Sequence, residues 1–499
     1  MNRYDRQIRL WANAGQSNLE TAHVCLVNAT PTGTEALKNL VLPGVGQFTI
    51  VDSTKVTLKS LGGNFFLSEA DIGKSRAESI AKHLSHLNPA VHGHHELRPL
   101  VELDNTFWSR FTCVVVSDLV EDFTVLQQIL WDNSIPLLVV DTIGYYGALR
   151  IIVPEVTVIE THDPSKLLDL RLDKPWPELQ SYVDSIDLST LNDVDHAHVP
   201  YIVIFIKALQ KWIHDNGTAP KLYAEKLQFQ SSIADMSRNL ATEGNFSEAK
   251  EGYIRALHKT VIPPELARIL ESEKAEVSKE SSIFWILVAS LKLFISEVGS
   301  LPLSGEFPDM VSDTKSYVAM QKLYHEKSLV DQAKFLEKVK YVMISIGRDI
   351  DDIDDQVIKS FCKNARQLYV AEGSASAYSH ALIESLLDSK TEGTSRNMNL
   401  LAIYFGMLAL KNVEESQVDF KTVTNEFKKI IQKQDLPQSI TDTIAELVAH
   451  STRDYHNMCA FMGGVVSQEI LKLATMQYVP VDNLFIYDGV RSLGASWRT

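Results

Sequence analysis

The stretch HVCLVNATPTGTEALKNLVLPGVGQFTIVD, residues 23–52, constrains the fold more than any other part of the chain. An apolar β-branched run, a turn, a helical pattern, a second apolar run and a terminal acid together spell a βαβ unit of the nucleotide-binding kind. In such a unit, glycines let the backbone turn tightly and approach the phosphates, which rest on N–H groups at the helix start. Here the turn reads Asn28-Ala29-Thr30-Pro31-Thr32-Gly33, which keeps only the glycine that serves helix–strand packing. Thr30 places a branched side chain where the backbone should be bare, and Pro31 removes an N–H donor. Asp52 stays at the strand end, where a ribose-binding acid would lie. The scaffold is kept, and nucleotide binding in this pocket is not expected.

The rest of the first 153 residues continues the α/β pattern. HVCLVNA, GQFTIVD, TCVVVSD and IPLLVVDT are short β-branched runs suited to a parallel sheet covered on both faces, and TEALKNLVL and KSRAESIAKHLSHL are helical. After GALRIIVPE, helical periodicity dominates, with turns at LDSKTEGTSRN and KQDLPQS. The α/β character returns with the helix NMCAFMGGVVSQEILKLAT and the strand NLFIYDG. The expected organisation is a Rossmann-like α/β domain in two parts, 1–153 and 451–499, interrupted by a helical insertion over 154–450. ADMSRNLATEGNFSEAKEGYIRALHK, residues 234–259, reads as one helix pair of a globular domain without a repeat partner.

With 499 residues and a formal net charge of −15, the chain can bury a large core and is ill suited to nucleic acid or anionic membrane. The four cysteines form no C-x-x-C pair, which argues against a zinc site and for a reducing compartment. YIVIFIKAL and IFWILVASLKLFI are too short, and too interrupted by lysine, to span a bilayer, so a soluble protein is expected.

At the N-terminus, RYDRQIRLW puts Tyr4, Ile8 and Trp11 on one helical face and Arg6 and Arg9 away from it. Periodicity alone reads this as an amphipathic helix docked on the domain, with solvated arginines.

YDRQIRLW, the βαβ unit, NFFL with IGKSRAE, LRLDKPWPEL, SIFWILVASLK and GGVVSQEILKL together resemble the regulatory subunits of neddylation-activating enzymes, in the ubiquitin-activating-enzyme superfamily. The resemblance runs end to end. It implies an inactive, ThiF-like pseudo-adenylation domain whose helical insertion resembles half of a catalytic-cysteine domain. It also implies an obligate heterodimer with a catalytic subunit. That partner would bind ATP and magnesium, adenylate a ubiquitin-like modifier and carry it as a thioester, with a conjugating enzyme engaged transiently. No cofactor or metal is expected on this subunit, nor any autonomous activity, and the implied location is cytoplasm and nucleus. Active members carry D-x-D and then N-L-x-R-Q after the second strand. In that register Thr54 replaces the second acid, and Ser60, Gly63 and Asn64 stand where Asn, Arg and Gln are expected. Phe65 matches. Asn28, Thr30, Pro31, Thr54 and Gly63 thus mark the loss of the site. The resemblance also assigns Arg6 an in-trans role toward the partner's ATP, which suits a planar, permanently charged guanidinium. Arg9 and Lys74 are read as structural.

Other readings stand beside this one: the regulatory subunit of a SUMO-type enzyme, or a scaffold with no part in catalysis. A stand-alone dinucleotide oxidoreductase is opposed by Thr30 and Pro31. His83, His86, His92, His94 and His95 cross from a helix end into a loop and are read as exposed. DIDDIDD from Asp349 lacks the calcium-loop pattern because Ile353 takes the fifth position. Cys25, Cys113, Cys362 and Cys459 are read as core residues.

Overall fold

The computed structural model describes residues 3–163, 168–387 and 395–499, the side chains of 395–399 excepted; part of the LDSKTEGTSRN turn lies outside them. The chain divides into two compact units, 1–158 with 369–499, and 159–368.

The first unit is built on an eight-stranded sheet. Its strands are β1 (His23–Val27), β2 (Gln47–Val51), β3 (His92–Glu96), β4 (Cys113–Ser117), β5 (Leu137–Ile143), β6 (Tyr146–Ile152), β9 (Leu484–Asp488) and β10 (Leu493–Trp497). A separate antiparallel pair joins β7 (Glu155–Val158) to β8 (Tyr369–Glu372). The sheet order is β10-β9-β6-β5-β4-β1-β2-β3. Pairing is parallel from β3 through β5 and antiparallel from β5 to β10. The expected strands fall at β1, β2, β4, β5 and β9; the first four are continuous apolar runs buried on both faces, and β9 buries alternate residues.

On one face, helices Pro31–Val41 and His456–Thr475 pack against each other and against the sheet around Leu26, Ile50, Val115 and Leu138. Gly463 makes the close approach possible: a Cβ there would lie 2.7 Å from Glu35 Cβ and 2.9 Å from the Ala36 nitrogen. Gly33 has the packing role read from the sequence, since a Cβ would meet Leu26 Cδ1 at 2.5 Å. The other face is covered by Thr124–Asp132 over β4 and β5, and by helices Ser395–Lys411, Phe420–Ile431 and Gln438–His450 over β6 and β9.

That last group corrects the expected boundaries. The helical run 154–450 is not one insertion: residues 369–450 belong with the sheet, and only 159–368 form the second unit. The reason is a shared core, in which Ile403, Phe405, Phe427 and Leu447 pack with Tyr146, Ala148, Leu484 and Ile486. The second unit has its own core around helices Tyr201–Asn216 and Tyr223–Ala234. Its helix pair is Tyr223–Ala234 with Gly244–Glu251, so the pattern expected over 234–259 lies partly upstream.

The histidine segment also differs. His92–Glu96 is a paired edge strand, β3, held by backbone bonds to β2 despite having no apolar alternation. Among the described residues, no group of three or more His, Cys, Asp or Glu is placed to hold a metal, and no helix is long and apolar enough to cross a membrane. All four cysteines are buried and free, and burial raises each thiol above its ordinary range, Cys459 to about 11.

Candidate functional site: a closed phosphate loop and an exposed arginine

The loop after β1 spends its polar groups on itself. The N–H groups of Asn28, Ala29 and Thr30 donate to Val51 O (3.0 Å), Asp52 Oδ2 (3.0 Å) and Asn28 O (2.8 Å). Asn28 takes a left-handed conformation, φ 64°, which the sequence NATPTG did not announce. Thr30 caps helix Pro31–Val41: its Oγ1 faces the Gly33 N–H, donates to Asp118 Oδ2 at 2.8 Å and lies 2.5 Å from Ser117 Oγ. Pro31 occupies the first helical position, where its missing N–H leaves one anion donor fewer.

Asp52 is equally committed. Its Oδ2 receives the Ala29 N–H and the Arg76 Nε–H (2.5 Å), and its Oδ1 receives the N–H and hydroxyl of Thr54 at 2.8 and 2.7 Å. Thr54, in place of an acid, thus secures the carboxylate that survives. Arg76 bridges onward from Nη2 to Asn28 Oδ1 at 2.5 Å, while Asn28 Nδ2 donates to Ser117 O at 2.8 Å. Asp118, at the end of β4, accepts the Thr142 N–H at 2.6 Å. Burial, reinforced by nearby Asp141, raises the Asp118 carboxyl to about 6.

The remaining position, Gly63, lies on the same wall. Gly63 faces the Pro31 ring: a Cβ on it would be 3.0 Å from Pro31 Cγ and 3.3 Å from Asp454 Cβ. An arginine at 63 and a proline at 31 therefore compete for one space. Asn64 is buried and donates to Thr34 Oγ1 at 3.1 Å. Ser60 serves only its own helix, in a capping box with Thr57. Lys74 is mostly exposed, 3.7 Å from Asp71. Sequence reading missed Arg76, Ser117, Asp118 and Thr142, the residues that close the loop.

The N-terminal segment is anchored on its apolar side. Asn88 Nδ2 donates to Tyr4 Oη at 2.9 Å, Gln7 Nε2 to Pro43 O at 2.6 Å, and Trp11 Nε1 to Gln16 Oε1 at 3.1 Å. The helix breaks at Trp11–Ala12, where Ala12 has φ 57°. On the opposite side, Arg9 pairs with Asp5 one turn away at 3.1 Å, both exposed. Arg6 is exposed and makes no hydrogen bond or ion pair with the described residues. The arrangement is thus a pocket with its donors used internally, and a charged donor held outward on a fixed helix. Two of the most exposed large apolar side chains, Leu58 and Phe65, bracket helix Leu58–Gly63.

Comparison with known proteins places this geometry in a family. The model of the ThiF family matches residues 4–498. The NEDD8-activating enzyme E1 regulatory subunit AXL of Arabidopsis thaliana is 37% identical over 98% of this chain and 97% of its own length. The NEDD8-activating enzyme E1 regulatory subunit of Danio rerio is 36% identical over 99% of this chain and 98% of its own.

Proposed function

The chain belongs to the ThiF family and, within it, to the regulatory subunits of NEDD8-activating enzyme E1, and from that premise we propose that it is a non-autonomous half of a heterodimer. Its own pocket binds no nucleotide. The catalytic partner binds ATP with magnesium, adenylates the ubiquitin-like modifier and receives it on a thioester, and a conjugating enzyme docks transiently on the pair. Arg6 of this chain reaches the partner's ATP. Adenylation builds negative charge on the polyphosphate, and a guanidinium placed in advance stabilises that charge without reorganisation.

The observation that carries this reading is the contrast between the two halves of the site. Every loop N–H from Asn28 to Thr30, and both oxygens of Asp52, are bonded within the pocket. Arg6, on a helix anchored through Tyr4 and Gln7, has no partner among the described residues. An arginine that served only the fold would be expected to bond to it.

The test is ATP–pyrophosphate exchange by the reconstituted heterodimer. Arg6→Ala is expected to leave assembly unchanged and lower exchange by about 100-fold, the scale for losing one preorganised donor, while Arg9→Ala stays near wild type. Wild-type exchange by Arg6→Ala would leave the chain a scaffold.

A further inference from the structure

On the sheet face away from the closed loop, β5 and β6 floor a cavity of about 370 Å³. Val139 pairs with Arg150 and Asp141 with Ala148 across the two strands, so all four residues share that face. Tyr378, Tyr404 and Leu408 wall it. The size is that of a small-molecule site, and the lining is apolar with a few convergent charges.

The two charges on the floor are treated differently. Asp141 is met by Lys411, whose Nζ lies 2.5 Å from Oδ1. The Arg150 side chain is 8% exposed, forms no hydrogen bond or ion pair with the described residues, and has its Nη1 buried without a partner among them. The Tyr404 hydroxyl donates its proton to Ala377 O at 2.6 Å, and burial keeps the phenol neutral, so it brings Arg150 no counter-charge. A guanidinium does not shed its proton, so burial with no carboxylate at ion-pair distance is a penalty that an aliphatic side chain of similar volume would avoid. The cavity supplies the space for the missing anion.

The lining also says which anion. With Glu121 and Asp122 at the cavity, three acids face two bases. That balance repels a phosphate dianion, and aromatic walls disfavour a strongly hydrated ion. A single planar carboxylate matches the guanidinium fork, and an apolar body attached to it would rest on Tyr378 and Tyr404. We propose that this cavity binds a carboxylate-bearing ligand on Arg150, the carboxylate belonging either to a small organic acid or to the C-terminus of a peptide.

The experiment titrates the full chain with phenylacetate, phenylacetamide, inorganic phosphate, and the tripeptide Gly-Gly-Phe with a free or an amidated C-terminus, read by saturation-transfer NMR. Phenylacetate or the free-acid peptide is expected to bind, with the amides and phosphate at least tenfold weaker. The tighter of the two acids identifies the source. Arg150→Met should lower carboxylate affinity at least tenfold. Leu408→Trp, which fills the cavity and leaves the charge, should do the same if Arg150→Met does not fold. Equal binding of acid and amide, binding unchanged in these variants, or no binding of either acid overturns the proposal.

Discussion

Arg76→Met withdraws the cation paired with Asp52 while keeping most of the side-chain volume. The Asp52 side chain is 1% exposed and that of Arg76 17%, so the pair is shielded from water. Removing one partner of a buried pair costs about 3–5 kcal/mol. Asp52 would keep the Ala29 N–H and the two Thr54 donors, and Asn28 Oδ1 would lose its partner. Those retained bonds put the expectation at the lower end, about 3 kcal/mol, or a fall of roughly 5–10 °C in the unfolding midpoint. Asp52→Asn alone should cost a similar amount, since it strands the arginine. The double variant should lose less than the sum, with a coupling of about 2 kcal/mol. Calorimetry on the four proteins measures it, and a coupling below about 0.5 kcal/mol would show the two residues to be independent. Equilibrium binding adds a second arm: Arg76→Met frees Asp52 but should gain no ATP affinity, because Pro31 and the bonded loop N–H groups remain. ATP binding by that variant would refute the account of how the pocket is closed.

Asp118→Asn is expected to stabilise the chain by about 2 kcal/mol at pH 7.5. The native carboxyl, raised to about 6, favours the folded state when protonated, and that advantage is lost as pH rises from about 4 through 6. Asparagine keeps the Thr142 bond and can donate to the Thr30 and Ser117 hydroxyls, so the difference in midpoint between variant and wild type should grow across that range and be flat above it. Gly63→Arg should cost about 1–3 kcal/mol by crowding Pro31. Adding Pro31→Gly should recover part of that cost, and strict additivity in thermal unfolding would show that the two positions do not share space. Gly463→Leu should unfold the first unit at ordinary temperature or lower its midpoint by more than 10 °C, as measured by circular dichroism, since the space at 463 is taken by Glu35 and Ala36.

The sheet was legible wherever burial on both faces wrote a continuous apolar run, as at β1, β2, β4 and β5. β3 was not, because HGHHE is an exposed edge whose extended form comes from backbone pairing with β2 alone. The boundary at 450 failed for a similar reason. Helical periodicity reports that a face is apolar, not what it packs on, and Ile403 and Phe405 pack on sheet residues about eighty positions later or about two hundred and fifty earlier. The site residues divide the same way. Thr30, Pro31 and Gly63 could be read as losses, since a motif fixes what should stand there. The partners of Asn28 in the loop, Arg76, Ser117 and Asp118, lie 48 to 90 residues from it and meet it only in the fold. One signal was available: Arg76 opens helix Arg76–Ser85, and a cation in a first turn works against the helix dipole, which asks for a specific carboxylate nearby.

The closed loop is also part of the packing of the first unit. Helix Pro31–Val41 is buried along nearly its whole length, packed on β1 beneath and on His456–Thr475 beside it. Deleting or loosening the turn that launches it would unpack the first unit's core. The turn's donors and acceptors are therefore satisfied within the protein: Thr30 caps the helix, Thr54 and Arg76 satisfy Asp52, and Asn28 ties the loop to β4. The loop can therefore hold its shape empty, on contacts within the protein.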